Sequence, residues 1–213
     1  IWIGGNPLPK LALDCIQSWN EKCPDYKIKL WNEENLNIEE CLFTKQAYEN
    51  KKYGFVTDYL RLKIIFENGG IYLDTDVEVL KSLDELLSLN AFFGFENDEH
   101  INTGAGFGAV KGCNILKDMM EQYEKTPFIK ADGSFDMTAC PQRDTVVLRK
   151  IGLKLGTTIQ EIDGIQFFPS EYFSPINYTT GIRKVTDKTF SIHHFMASWK
   201  DEEEVKQNKT RHI

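Results

Sequence analysis

Between Phe55 and Asp76 the chain runs from an apolar helix, through a glycine pair, into a three-residue apolar strand that ends on acid. Val56, Tyr59, Leu60, Leu62, Ile64, Ile65 and Phe66 cover most of the helix circumference over Phe55 to Asn68, so that helix must be buried. Gly69-Gly70 ends it as a C-cap. Ile71-Tyr72-Leu73 is a short buried strand that opens onto Asp74-Thr75-Asp76. A buried helix feeding a buried strand confines the chain to a layered α/β architecture. Acids at the carboxyl end of such a strand stand where α/β sheets bind ligands.

The rest of the chain fits that frame. Ile1 to Ile3 reads as a strand ended by Gly4-Gly5-Asn6-Pro7, and Leu8 to Asn20 as a helix. Tyr26 to Trp31 alternates as a strand with one wet face, followed by polar helical segments around residues 34 to 51. Val77 to Leu80 stays extended, and Ser82 with Glu85 reads as a capping box for a helix from Leu83 to Leu89. Strands are predicted at Ala91 to Phe95, Phe107 to Val110, 159 to 163, 165 to 168 and 189 to 193, with helices near 113 to 124 and 144 to 151. Alternating strands and helices predict a mostly parallel central sheet. With no repeat or linker, one domain over 1–213 is expected, and the abrupt start at Ile1 suggests that a few residues of the first strand are missing.

A net charge of −7 and a pI near 5.2 argue against nucleic acid, which needs a basic footprint. The five cysteines have no zinc-like spacing and read as reduced thiols. No apolar run reaches the about 18 residues needed to span a bilayer. The expectation is a cytoplasmic protein, with peripheral association at the inner face of a membrane left open.

In extended backbone Asp74 and Asp76 face one side, and two carboxylates there make a hard-oxygen site suited to Mg²⁺ or Mn²⁺. A solvated acidic turn is the plainer alternative. Asp58 and Arg61 lie three positions apart on one face of the apolar helix, either as an internal ion pair or as groups facing a polar cleft. Arg61 can fork two hydroxyls or phosphate oxygens, and Asp58 can accept from sugar hydroxyls. Asp144, after Pro141-Gln142-Arg143, reads as a helix-capping carboxylate near the acceptor side. Phe167-Phe168-Pro169 and Tyr172-Phe173-Ser174-Pro175 read as a packed lid loop, and Asp201 to Glu204 as a solvated helix start.

Ile1-Trp2-Ile3-Gly4, Pro9, Ser18-Trp19, Pro24, Trp31, Asp58-x-x-Arg61 and Asn68-Gly69-Gly70-Ile71-Tyr72-Leu73-Asp74-Thr75-Asp76 together resemble glycosyltransferase family 32. That family includes capsular-polysaccharide sugar transferases and Golgi mannosyltransferases, and the catalytic domains of large clostridial glucosylating toxins look related. The resemblance implies the GT-A nucleotide-diphospho-sugar transferase fold, a Mn²⁺ or Mg²⁺ ion, and transfer with retention. The implied donor is a nucleotide sugar, with UDP-hexose preferred, and the acceptor a saccharide, a lipid-linked saccharide or a protein. Trp2 resembles the aromatic that stacks on the base, and Asp58 and Arg61 the pair that holds the donor sugar. Asp74 resembles the carboxylate near the ribose and the metal's water shell, and Asp76 the direct metal ligand. Tyr72, Asn102 and Gly104 join the substrate-binding set, Asn102 as the donor-sugar amide. His193-His194-Phe195-Met196-Ala197-Ser198-Trp199 resembles the closing segment that supplies a late metal ligand and diphosphate contacts. There the toxins carry Glu where this chain offers His194, with Ser198 and Trp199 spaced differently.

Core packing of Trp2, a satisfied strand-end histidine at 194 and a positive-φ loop around Asn102, Gly104 and Gly106 remain the structural alternatives. A haloacid-dehalogenase-type Mg²⁺ phosphatase also places D-x-D after a strand, but it wants Thr or Val where Glu78 stands. A degenerate sugar- or nucleotide-binding module is the non-enzymatic reading.

Overall fold

The computed structural model describes residues 1–156, 158–177 and 180–196. Helices α1 (Lys10–Lys22), α2 (Leu42–Glu49) and α3 (Tyr53–Asn68) precede strands β1 (Gly70–Tyr72) and β2 (Val77–Val79). A 3₁₀ turn at Asp84–Ser88 follows, then β3 (Ala91–Gly94), β4 (Phe107–Ala109), α4 (Asn114–Glu124) and α5 (Cys140–Lys150). Strands β5 (Gln160–Ile162) and β6 (Ile165–Phe168), the short α6 (Ser170–Phe173) and β7 (Ser191–His193) complete the order.

The fold is α/β, but the sheet is mixed and not mostly parallel. Its order is β1-β4-β3-β6-β5, and β2 pairs with β7 in a separate two-stranded ladder. Only β3 and β6 run parallel in the main sheet, with β1–β4, β3–β4 and β5–β6 antiparallel. Connection length explains the difference. A parallel pair needs a crossover of about a dozen residues or more, which α4 and α5 supply between β3 and β6. Between β5 and β6 there is only Asp163-Gly164, both at positive φ (51° and 76°), which is the two-residue hairpin signature.

Two apolar cores sandwich the sheet because side chains alternate along β3. Ala91 and Phe93 join the core under α2, α3 and α4, while Phe92 joins a second core with Phe173, Phe190, Leu83 and Leu86. Phe93 stacks on Phe107 with centroids 5.7 Å apart, and Phe92 on Phe173 at 5.6 Å. Phe173 comes from α6, so the expected lid loop holds a helical turn that plugs the second core. Helix α1 braces β2 from outside: the Trp19 indole donates to the Val77 carbonyl at 2.6 Å, and the Ser18 hydroxyl accepts from the Val79 amide at 2.9 Å.

Several local expectations change. Ile1 to Ile3 and Tyr26 to Trp31 form no named strand, and one bond from the Trp2 amide to the Trp31 carbonyl joins them. Ser82 accepts from the Asp84 amide at 3.1 Å and does not cap a helix to Leu89; the segment closes as a 3₁₀ turn. All five cysteines are free thiols. No helix among the described residues is long and apolar enough to cross a membrane.

Candidate active site

A cleft of ≈ 430 Å³ opens where α3, the end of β1 and β7 converge. Among the described residues its walls carry the carboxylates Asp58, Asp74, Asp76 and Glu96 against a single guanidinium, Arg61. Trp2 also lines it, half-buried and outside both cores, with its indole donating to the Asn6 carbonyl at 2.6 Å. The core-packing alternative for Trp2 therefore fails.

Arg61 is buried and fixed on several sides. Its Nη2 lies 3.0 Å from Asp58 Oδ1 and 3.5 Å from Asp74 Oδ1, and its Nε donates to the Thr57 carbonyl at 3.1 Å. Its plane faces the Tyr72 ring at 5.2 Å, and the Tyr72 hydroxyl donates to Asp74 Oδ1 at 2.7 Å. Tyr72 thus holds Asp74 in place from within the core and does not face the cleft. Burial is the larger influence on Asp58 and lifts its pKa to about 6, against the opposing pull of Arg61. Gly104 completes the packing. A Cβ there would fall 2.3 Å from Asp74 Oδ2 and 2.8 Å from Arg61 Nη1, so only glycine lets this loop lie against both groups. Of the two loop glycines considered, Gly106 has positive φ.

Asp74, Asp76 and His193 bring ligand atoms within 4.8 Å of one another. Asp76 is buried, its Oδ2 accepting from the Met196 amide at 2.7 Å and its Oδ1 lying 3.4 Å from His193 Nε2. Burial opposes the Asp76 charge, but the hydrogen bond and charge of His193 outweigh it and hold the carboxyl below its ordinary value. Burial likewise disfavours the His193 imidazolium, which Asp76 nevertheless raises above its usual pKa. His193 Nδ1 is buried with no partner among the described residues. Two carboxylates and an imidazole fit Mn²⁺ or Mg²⁺, and the nitrogen favours Mn²⁺ of the two.

His193, and not His194, therefore joins the acids. The His194 amide donates to the Asp76 carbonyl at 3.0 Å, while its ring turns to Glu78, Nε2 to Oε2 2.9 Å. Asp144 is not a cap either: α5 begins at Cys140, and Asp144 is fully buried with Oδ2 accepting from the Thr103 hydroxyl at 2.8 Å. Asn102 lines the cleft. Ser198, Trp199 and Asp201 to Glu204 lie outside the described residues. Sequence reasoning missed His193, Glu96, Thr57 and Cys140, whose Sγ lies 3.9 Å from Arg61 Nη1. The adjacent histidines were the only signal for His193, and no local motif marks Glu96.

Residues 9–93, holding the helix, the glycine pair and the acid triplet, match the family described as "Glycosyltransferase sugar-binding region containing DXD motif". This segment is similar to DXD-type glycosyltransferase sugar-binding regions. The chain is 36% identical over 138 residues (57% of the chain, 36% of the relative) to a mannosyl phosphorylinositol ceramide synthase of Saccharomyces cerevisiae. It is 30% identical over 95 residues (41% of the chain, 25% of the relative) to an initiation-specific alpha-1,6-mannosyltransferase of Candida albicans. The aligned part spans between 16% and 36% of the length of the curated relatives it matches. Among solved structures, a PaToxG glycosyltransferase is similar at TM-score 0.45 and 14% identity, over 70% of this chain and 66% of that one, too distant to decide fold or function. With DXD at the end of a strand of an α/β sheet, the layout accords with the GT-A fold that the family resemblance implies.

Proposed function

We propose that the chain transfers a hexose from a nucleoside-diphosphate sugar to a hydroxyl acceptor, with retention and with a divalent ion. The observation that carries this is one cleft holding the Asp74–Asp76–His193 group beside the buried Asp58–Arg61 pair. Four carboxylates against one guanidinium would repel a diphosphate, and a divalent cation on Asp74, Asp76 and His193 would reverse that field and neutralise the departing charge.

The chain's own residues supply the rest. Trp2 stacks on the base, Asp58 accepts from sugar hydroxyls, and Arg61 stabilises charge growing on the leaving phosphate oxygen. The bond from C1 to that oxygen breaks with its electron pair going to phosphate. The acceptor oxygen bonds to C1 from the same face, and its proton passes to the departing phosphate oxygen. Retention is supported by the employment of three cleft carboxylates among the described residues: Asp74 and Asp76 would hold the ion and Asp58 pairs with Arg61, while Asn102 holds one oxygen of Glu96. An inverting reaction would need a carboxylate aimed at the acceptor.

The preference for UDP-hexose now stands beside relatives whose names specify mannosyl transfer, so UDP-glucose, UDP-galactose and GDP-mannose are the donors to compare. One donor with Mn²⁺ should raise the melting temperature by about 5–10 °C at 100 times its Kd. Arg61→Ala should lower donor hydrolysis about 10²–10³-fold and weaken nucleoside-diphosphate binding far less. Asp76→Asn should abolish the Mn²⁺-dependent shift. Binding without turnover in the wild type would leave only a binding module, and an Mn²⁺ shift surviving in Asp76→Asn would refute the assigned ion site.

A further inference from the structure

Glu96 is a cleft carboxylate that neither the acid triplet nor the Asp58–Arg61 pair employs. It lies just past β3, on a loop closed by the Phe95–Ile101 bridge and by the Glu96 amide donating to the His100 carbonyl at 2.8 Å. Asn102 stands on the returning limb, its amide donating to the Gly94 carbonyl at 3.0 Å. The loop therefore delivers both side chains to one wall of the cleft.

The Asn102 side chain has a fixed sense. The Gly104 N–H needs an acceptor and finds Asn102 Oδ1 at 2.7 Å, so Nδ2 points to Glu96 Oε2 and donates to it. Gly104 in turn accepts from the Asp74 amide at 3.0 Å, tying this wall to the ion-binding strand. One Nδ2 hydrogen remains, and Glu96 Oε1 has no hydrogen-bond partner among the described residues. The wall thus shows the cleft one N–H donor beside one carboxylate acceptor. A phosphate carries only acceptors and would be repelled by the carboxylate. Two adjacent sugar hydroxyls fit, because one oxygen accepts from Asn102 while the neighbouring O–H donates to Glu96. Reversing a hydroxyl's configuration would leave a part-buried polar group unpaired, which discriminates strongly.

We propose that Glu96, oriented by Asn102, selects the donor hexose by reading a vicinal pair of its hydroxyls. This rests on the nucleotide-sugar reading above. The test measures calorimetric affinity and donor hydrolysis with Mn²⁺ for UDP, UDP-glucose, UDP-galactose, GDP and GDP-mannose, in wild type, Glu96→Gln and Glu96→Asp. Glu96→Gln can still accept from Asn102 but turns an amide N–H to the cleft. It should bind the bare nucleoside diphosphate within about twofold of wild type while losing about 10²-fold in kcat/KM for the preferred donor and much of its preference over the other sugars. Glu96→Asp, which keeps the charge but withdraws it, should lose in the same direction. A donor analogue lacking the hydroxyl that Glu96 reads should be poor for wild type yet no poorer for Glu96→Gln. An unchanged sugar preference overturns the proposal, as does an equal loss for bare nucleotide or a loss of transfer with donor hydrolysis intact. Wild type that gains no affinity from any sugar would overturn the nucleotide-sugar reading as well, whereas a gain that Glu96→Gln leaves untouched would overturn this inference alone.

Discussion

Asp144 shows how one residue type takes on different work according to its surroundings. Asp76, buried but held by His193 and a main-chain amide, stays charged. Asp144 is enclosed within α5 with Oδ1 unpartnered, and burial above all, with the nearby charge of Asp58 adding to it, lifts its pKa to about 7 despite the Thr103 hydrogen bond. The folded chain therefore keeps a proton that the unfolded chain releases above 3.8, so stability falls as pH rises from there towards 7. Asp144→Asn should remove much of that slope, matching wild type near pH 4 and exceeding it at pH 7 to 8 in urea titrations. A smaller slope over part of the same window should remain from Asp58, at about 6. Parallel stability curves for the two proteins would show that Asp144 is already charged when folded.

At the scale of elements, β7 decides which of two neighbouring histidines meets the acids. Pairing with β2 sets His193 opposite Val77, and the site forms from that register. His193→Ala should weaken Mn²⁺-dependent stabilisation at least about tenfold, by analogy with the loss of one partner around a metal. His194→Ala removes a partly exposed contact with Glu78 and should cost about 0–1 kcal/mol, with the Mn²⁺ response intact. Melting curves at stepped Mn²⁺ concentration separate the two, and equal losses would mean that both rings reach the ion. The same register marks where reading the sequence stops. Helix α3, the glycine pair and the acid triplet were legible to within about two residues, since an all-round apolar helix and a glycine stop are local facts. Residue 193 could not be chosen over 194, because the choice depends on pairing with a strand more than a hundred positions away. The same holds for Glu96, which a loop closure places, and for Tyr26 to Trp31, whose alternation is real but which gains only one bond to Trp2. Sheet sense was misjudged where short links, not the helix-strand alternation, set direction.

For the molecule as a whole, the DXD triplet sits where distant stretches of chain meet. Ser18 and Trp19 hold β2 from α1, and the Met196 amide reaches Asp76 across 120 positions. Contacts of that range form only after a large loop closes, which slows their assembly and leaves them open to local release. An ion shared by Asp74, Asp76 and His193 would then act as a removable staple across most of the chain, a reversible counterpart of a long-loop disulfide. Chelation should accelerate hydrogen exchange at the amides of Ile192 and His194 while leaving α3 protected, and Mn²⁺ with nucleoside diphosphate should reverse it. Uniform exchange across both regions would mean that the two are released together. If the staple holds, supply of the ion governs more than turnover: it sets how long β7 stays fastened to β2, and so how readily a protease can enter there.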